Sequence, residues 1–324
     1  MTVRSARPGR VVIGVDFSAS SISAARWASG WLDSDAELIL VHALVVPDVS
    51  AALASRLPLP TSLIANARAG AERRLRDLSS TLGPHQVSIE AREGRPAEVI
   101  AGVARDYDAD LIIVGKHGEA GIRRGYTGRT TDHLVRTSST PVVVAEGIVE
   151  GAPRRIVVPV TYSSVTPYIV EWTKRLYDLS QGEFFLVHVI GSAVLGHVLT
   201  TAAIKSGKDL SPEEIDEVFA EDRERWKKEL VKAGIPETRV SAEVVFGEVS
   251  EAVLAAAARH HADMLVMGSH AGPSRRLLLG SAASAVLREA GIPVLIVVEP
   301  EESKKQSTPR QPEKEKSDQL LQPA

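Results

Sequence analysis

The sequence contains no cysteine among its 324 residues. This absence excludes disulfides, thiolate metal sites, iron–sulfur clusters and cysteine nucleophiles, and it fits a reducing compartment, so we expect a cytoplasmic protein. Aromatic residues are also scarce, at 4% of the chain. A chain with so few rings needs an aliphatic core and lacks the stacking platforms on which single-stranded nucleic acids bind.

Strong net charge and long apolar runs are absent as well. The formal net charge is −3, which provides no electrostatic footprint for DNA, RNA or anionic lipid. No apolar run approaches the roughly 20 residues that span a bilayer. We therefore expect neither a nucleic acid nor a membrane as a partner.

Several catalytic motifs are missing from the sequence. It has no Gly-x4-Gly-Lys-Ser/Thr loop for P-loop chemistry and no Gly-x-Gly-x2-Gly dinucleotide fingerprint. It also lacks the Gly-x-Ser-x-Gly nucleophile elbow of α/β-hydrolases. From these absences we expect no catalytic residues, and nothing in the sequence indicates a dedicated metal site.

What the chain does contain is an internal repeat. Four landmarks recur in the same order at offsets of 145 to 153 positions: 11–15 with 156–160, 40–42 with 186–188, 109–115 with 262–268, and 141–144 with 293–296. A repeat at this long period indicates two copies of one globular domain. We place the first domain at 1–149 and the second at 150–298.

Each copy alternates short apolar runs with amphipathic segments. Runs such as 111–114, 142–144 and 294–298 are rich in β-branched residues on both faces, as in strands buried between helix layers. The alternation predicts an α/β protein with two tandem flavodoxin-like or Rossmann-like doubly wound domains. Each would hold a five-stranded parallel sheet with helices on both faces.

The last segment, 299–324, differs in composition from the rest of the chain. It holds six acids, five bases and four prolines, and its large apolar residues are Leu320 and Leu321 alone. Such a segment buries too little surface to offset the entropy of ordering it. We predict a disordered tail that folding does not require.

Two features follow predicted strands, where open parallel sheets bind ligands. Asp16 comes directly after the first strand, and a segment with five glycines, 115–128, comes directly after the fourth. Glycines let backbone N–H groups approach an anion, and a helix beginning near Gly128 favours phosphate. The range 116–136 has five bases against two acids. Composition alone leaves open a phosphate site or an ordinary solvated loop.

These residues resemble the motif of the universal stress protein family. Gly115, Gly118 and Gly128 have its Gly-x2-Gly-x9-Gly spacing, and Asp16 is the acid after the first strand. Weaker marks in the same order are 40–42, 94–96 and Pro141. The resemblance runs from about residue 10 to 298 and leaves out the tail.

The resemblance implies a stress-response protein that binds a nucleotide, with ATP the best candidate and Mg²⁺ its usual companion. Any ATP hydrolysis would be slow and incidental, so the protein would not be an enzyme. The resemblance also implies that the last strands of the two copies pair, giving an internal pseudo-dimer, with a further homodimer as a possibility. It assigns Asp16 to the adenine or ribose, Ala43 to the edge of the base, and the phosphates to Gly115, His117, Gly118, Gly128, Arg129 and Thr130.

The sequence departs from the family pattern at several of these positions. Arg129 stands where the family has a hydroxyl side chain, although arginine also pairs with phosphate through its planar guanidinium group. In the second copy Thr161 replaces the acid, and one residue is missing before the helix. We therefore expect ATP mainly in the first domain and a degenerate second site at Gly268, His270, Gly280 and Ser281.

Two other classes of function stay open. One is a nucleotide-independent scaffold that acts through protein–protein interaction, which the departures favour. The other is an adenylate-forming or ATP-pyrophosphatase-type enzyme on a related fold. That class carries a Ser-Gly-Gly-x-Asp-Ser loop after its first strand, whereas this chain has Asp-Phe-Ser-Ala-Ser at 16–20.

Overall fold

The computed structural model describes residues 7–45, 61–118, 127–161, 163–191, 217, 219–269 and 279–299. The predicted site residue His270 and the predicted tail after Glu299 lie outside these ranges. No helix within them is long and apolar enough to cross a bilayer.

The described residues form ten strands and eight helices. The first half consists of β1 (Arg10–Gly14), α1 (Ala19–Trp31), β2 (Glu37–Leu44), α2 (Thr61–Ser79), β3 (Val87–Glu93), α3 (Pro96–Asp106), β4 (Leu111–Gly115), α4 (Arg129–Thr137) and β5 (Val142–Ala145). The second half consists of β6 (Arg155–Val160), α5 (Thr166–Ser180), β7 (Glu183–Ile190), α6 (Ala220–Lys232), β8 (Val240–Phe246), α7 (Val249–Arg259), β9 (Met264–Gly268), α8 (Ser281–Glu289) and β10 (Val294–Val297), with a 3-10 turn at Glu237–Arg239. The order of elements in each half is therefore the predicted alternation of strands and helices.

Local sequence explains where several helices begin. Ser18 caps α1, because its hydroxyl accepts a hydrogen bond from the Ser21 N–H at 3.2 Å. Proline at the first position of α3 has no N–H to leave unsatisfied there. In contrast, α4 and α8 begin after glycines, Gly128 and Gly280, which have no side chain to cap the helix. Their first N–H groups have no partner within the helix.

The ten strands form one sheet in the order β3-β2-β1-β4-β5-β10-β9-β6-β7-β8. Neighbours within each half pair in parallel, and helices cover both faces, so the predicted fold class is confirmed. The two five-stranded sheets are not separate, however. β5 pairs with β10 in antiparallel register, Val143 opposite Leu295. Each of these strands would otherwise expose a row of unpaired backbone groups.

Alternate residues of the strands form two apolar layers, one on each face of the sheet. Ile13 and Val158 lie in one layer, while Val12 and Val157 lie in the other, and all four are fully buried. Both layers contain residues from the two halves. The core is therefore continuous across the β5–β10 junction and largely aliphatic, as the composition predicts.

One sheet position distinguishes the halves. β1 and β4 pair over four residues, whereas β6 and β9 pair over two, at Ile156 and Val157. Pro159 stands in β6 where β1 has Gly14. Proline has no N–H to donate to a ladder. The sheet is therefore less tightly joined at the carboxyl end of β6.

Candidate functional site

A cavity of about 300 Å³ lies at the carboxyl ends of β1 and β4, where the strand order reverses. Ligands bind at this switch point in open α/β sheets. Eight residues predicted from the sequence line it together: Asp16, Ala43, Gly115, His117, Gly118, Gly128, Arg129 and Thr130. The residues at three strand ends and one helix start therefore line the same cavity.

Other lining residues were not predicted as site residues. They are Gly14, Val15, Ser21, Val41, His42, Pro96, Ile100, Val114 and Thr131. Two of them carried usable signals. Pro96 begins the predicted third helix, and Thr131 comes directly after the predicted site residue Thr130. The buried Thr131 hydroxyl donates to the Gly115 carbonyl at 3.0 Å, so it joins the helix to the end of β4.

Asp16 presents a carboxylate at the cavity wall. Its Oδ1 accepts hydrogen bonds from the Ser18 N–H at 3.0 Å and from the Ser18 hydroxyl at 2.6 Å. Burial by itself would raise the pKa of Asp16, but the hydrogen bonds from Ser18 and Ser21 outweigh it and hold the pKa below its ordinary value. Asp16 is therefore an anion at neutral pH, and it has a second oxygen for a ligand hydroxyl.

Two of the predicted glycines have different physical roles. A Cβ added at Gly115 would lie 2.5 Å from the Ser20 hydroxyl oxygen and 3.0 Å from the Ser21 nitrogen, so this glycine lets α1 pack on the end of β4. A Cβ added at Gly118 would lie 2.7 Å from Asp16 Oδ2. Gly115 is thus required by packing, whereas Gly118 keeps space open beside the carboxylate.

The start of α4 forms the opposite wall. The Gly128 N–H donates to the Lys116 carbonyl at 3.0 Å, which fixes the helix start against the end of β4. Arg129 is the first residue of α4 and is exposed at the cavity. Within the described ranges, no hydrogen bond or ion pair involves its guanidinium group. Helix N-termini and unpaired guanidinium groups both attract phosphate.

Two of the five bases in 116–136 do not face the cavity. Lys116 is buried and turns away from the cavity: its Nζ donates to the Ala290 carbonyl at 2.8 Å and lies 2.6 Å from Glu146 Oε2. Arg136 pairs with Asp132 one turn earlier in α4, at 2.9 Å. Both cations are therefore occupied in packing. Of the five bases in 116–136, Arg129 is the one that the described residues place at the cavity.

His117 and His42 line the cavity in different ways. The His117 Nε2 lies 3.5 Å from Glu146 Oε1, on the side that faces the segment between the halves. The His42 Nδ1 lies 2.7 Å from the Val15 carbonyl oxygen. Because that oxygen can only accept, Nδ1 donates, and in the neutral ring Nε2 is left as an acceptor.

A second cavity, of about 310 Å³, lies at the corresponding place in the second half. Three of the residues predicted for the degenerate site line it, Gly268, Gly280 and Ser281, together with Thr161. The fourth, His270, is outside the described residues. The loss of the acid has therefore not closed the hole: the second half keeps a cavity of nearly the same volume.

Comparison with known proteins gives the family. The sequence model of the universal stress protein family matches residues 8–146 and again 153–298, which is most of the chain. The chain belongs to the universal stress protein family. The two matches make it a tandem member.

Relatives with the same tandem length support this assignment. Universal stress protein Rv2005c of Mycobacterium tuberculosis is 25% identical over 317 residues, covering 88% of this chain and 96% of that protein. Universal stress protein Slr1230 of Synechocystis is 29% identical over 196 residues, covering 58% of each. The crystal structure of a universal stress protein from Archaeoglobus fulgidus superposes with a TM-score of 0.64 at 17% identity, over 90% of this chain and 97% of that one, and so shows the shared fold.

Metal binding has no preformed site in the described ranges. Within them, no three His, Asp or Glu side chains cluster closely enough to hold an ion.

Proposed function

We propose that the first half of this universal stress protein binds a nucleotide, with ATP as the best candidate. The observation that carries the proposal is that the eight residues assigned to a ligand by the family resemblance line one cavity. They come from four segments of the chain. The fold by itself brings these strand ends together, so the support for a ligand comes from the chemistry there: the carboxylate of Asp16, the space that Gly118 leaves beside it and the guanidinium group of Arg129.

The groups around the cavity fit a nucleotide. Its volume of about 300 Å³ is at the lower end of the roughly 300–1,000 Å³ range of small-molecule sites, so it suits the base and ribose. Asp16 has an oxygen available for a ribose hydroxyl. Arg129 and the N–H groups at the start of α4 are the donors for phosphates. Mg²⁺, when bound with the nucleotide, would neutralise phosphate charge.

In this proposal the protein is a regulatory binder in stress adaptation, acting in the cytoplasm, without a catalytic role. Ligand binding would instead stabilise one arrangement of the first half, which a partner protein could recognise. The nucleotide-independent scaffold is the competing function, since Arg129 replaces the hydroxyl of the family motif.

Isothermal titration with ATP and Mg²⁺ tests the proposal. We expect about one ATP per chain, because the second half lacks the acid and the arginine. Gly118→Ala should weaken binding at least about tenfold, since the new methyl group meets Asp16. The matched control is Gly30→Ala, where an added Cβ has no neighbour within 4 Å. Absence of ATP binding by the unmodified protein would favour the scaffold.

A further inference from the structure

The second cavity has the size of the first but a different chemistry. Cavity volumes are about 310 and about 300 Å³. The first is lined by ionisable side chains, among them Asp16, His117 and Arg129. The described residues around the second include none. Thr161 stands where the first cavity has Asp16, and Ser281 stands where it has Arg129. Hydroxyl groups therefore replace two charges of the first cavity.

The walls of the second cavity combine apolar side chains with hydroxyl groups. Val187, Val189 and Met267 contribute apolar surface from β7 and β9, and Ile169 contributes from α5. The hydroxyl residues are Thr161, Ser163, Ser269 and Ser281. Apolar walls with a few convergent polar groups are typical of sites for small uncharged molecules.

The two cavities share the part of the wall that the second strand of each half provides. The His188 Nδ1 lies 3.0 Å from the Val160 carbonyl oxygen, and this contact repeats the one that His42 makes in the first half. Val187 and Val189 lie at the places of Val41 and Ala43. The family resemblance assigns Ala43 to the edge of the base. The part of the wall around Ala43 therefore has a counterpart in the second cavity.

The helix starts that border the two cavities differ. Ser281 and Ala282 begin α8 where Arg129 and Thr130 begin α4. Ser281 provides a hydroxyl, and the first N–H groups of α8 are not capped by a side chain. These groups suit a ligand hydroxyl or carbonyl, and Ser281 brings no positive charge to the helix start where the first half has Arg129.

We propose that the second cavity binds an uncharged nucleoside rather than a nucleotide. The proposal deepens the function proposed above, because it takes the base-binding end of the first cavity as its guide. The two halves of one chain would then bind the same nucleoside in two chemical forms. The first half would bind it phosphorylated, and the second half would bind it unphosphorylated.

Blocking each cavity separately tests this proposal, with radiolabelled adenosine and ATP as probes in equilibrium dialysis of the full chain. Thr130→Leu fills the first cavity, and Ala282→Leu fills the second at the matching helix position. We expect the Thr130→Leu chain to hold one adenosine and to bind ATP at least about tenfold more weakly than adenosine. Adding Ala282→Leu should weaken the remaining adenosine binding at least about tenfold. Thermal melts of each variant verify that it is folded.

Three results would overturn the proposal: equal affinity of the Thr130→Leu chain for ATP and adenosine, no adenosine binding by that chain, or adenosine binding that Ala282→Leu leaves unchanged. ATP binding by the Ala282→Leu chain reports on the first cavity alone. If that chain binds no ATP while the Thr130→Leu chain still holds adenosine, the function proposed for the first half fails and the second site stands.

Discussion

The two halves of this chain have kept the same cavity and changed what surrounds it. Each hole lies between the ends of two parallel strands and the start of a helix, and the two volumes differ by little. The strands and helix positions that set this geometry are fixed by a core buried on both faces of the sheet. The lining side chains are not fixed in this way. Thus Asp16 corresponds to Thr161 and Arg129 to Ser281 without collapse of the fold.

The largest expected effect concerns a contact that the first half has and the second lacks. Lys116 joins the first cavity loop to the Ala290 carbonyl and to Glu146, whereas the corresponding residue is Ser269. Lys116→Met leaves Glu146 without its cation, and we expect the free energy of unfolding to fall by about 3 kcal/mol. Urea denaturation at pH 7 measures it. The double variant with Glu146→Gln should lose less, and an equal loss would contradict the ion-pair explanation.

Arg129 provides the next test of the difference between the cavities. Losing one charge-assisted contact costs about 1.5–3 kcal/mol, so Arg129→Ala should weaken ATP binding at least about tenfold. Adenosine affinity should change little, because adenosine has no phosphate. Ser281→Ala is the matched control and should leave ATP affinity unchanged in titration calorimetry. If Arg129→Ser instead creates ATP binding that the unmodified protein lacks, arginine blocks the site.

A smaller effect separates the glycines at the ends of β4 and β9. A Cβ at Gly115 would lie 3.0 Å from backbone atoms of α1, whereas at Gly268 it would lie 2.9 Å from a Val165 methyl group. Side chains rotate more easily than helix backbone shifts. Gly115→Ala should therefore destabilise the protein by about 1 kcal/mol more than Gly268→Ala. Denaturation midpoints measure the difference, and equal midpoints would argue against backbone crowding at Gly115.

The smallest effect is the pH dependence of stability that Asp16 gives to the first cavity and that Thr161 cannot give to the second. The folded pKa of Asp16 lies below that of the unfolded chain, so the unfolded state takes up the proton first as the pH falls. The stabilisation from Asp16 is present above about pH 4 and is lost as the pH drops through the folded pKa. Asp16→Asn should lose less stability than the unmodified protein between pH 5 and pH 3. Parallel acid-limb curves would contradict the contribution of Asp16.

Much of this architecture could be predicted from the sequence. Parallel strands buried on both faces leave continuous β-branched runs, so β4, β5 and β10 were predictable without partners. The first cavity was predictable too, because open parallel sheets bring the carboxyl ends of their strands to one edge. Asp16 and the glycines after β4 had to meet there.

Other features depend on distant parts of the chain. Lys116 counts as a loop cation in sequence, but its partner Ala290 lies 174 positions away, across a strand pairing that composition does not reveal. The short β6–β9 ladder at Pro159 and the persistence of the second cavity are also tertiary properties. The motif residues of the sequence predict which ligand-binding side chains are lost. They do not predict whether the cavity remains.

The antiparallel pairing of β5 with β10 has an evolutionary consequence. In a homodimer of a single-domain protein that paired along these strands, both subunits would come from one gene. Every substitution would then occur on both sides of the interface at once. In a fused chain each domain can acquire substitutions independently of the other, and the covalent link keeps the two domains together. Fusion thereby permits one copy to explore a new ligand while the other retains the old one, and the shared ten-stranded sheet keeps both copies folded during that divergence.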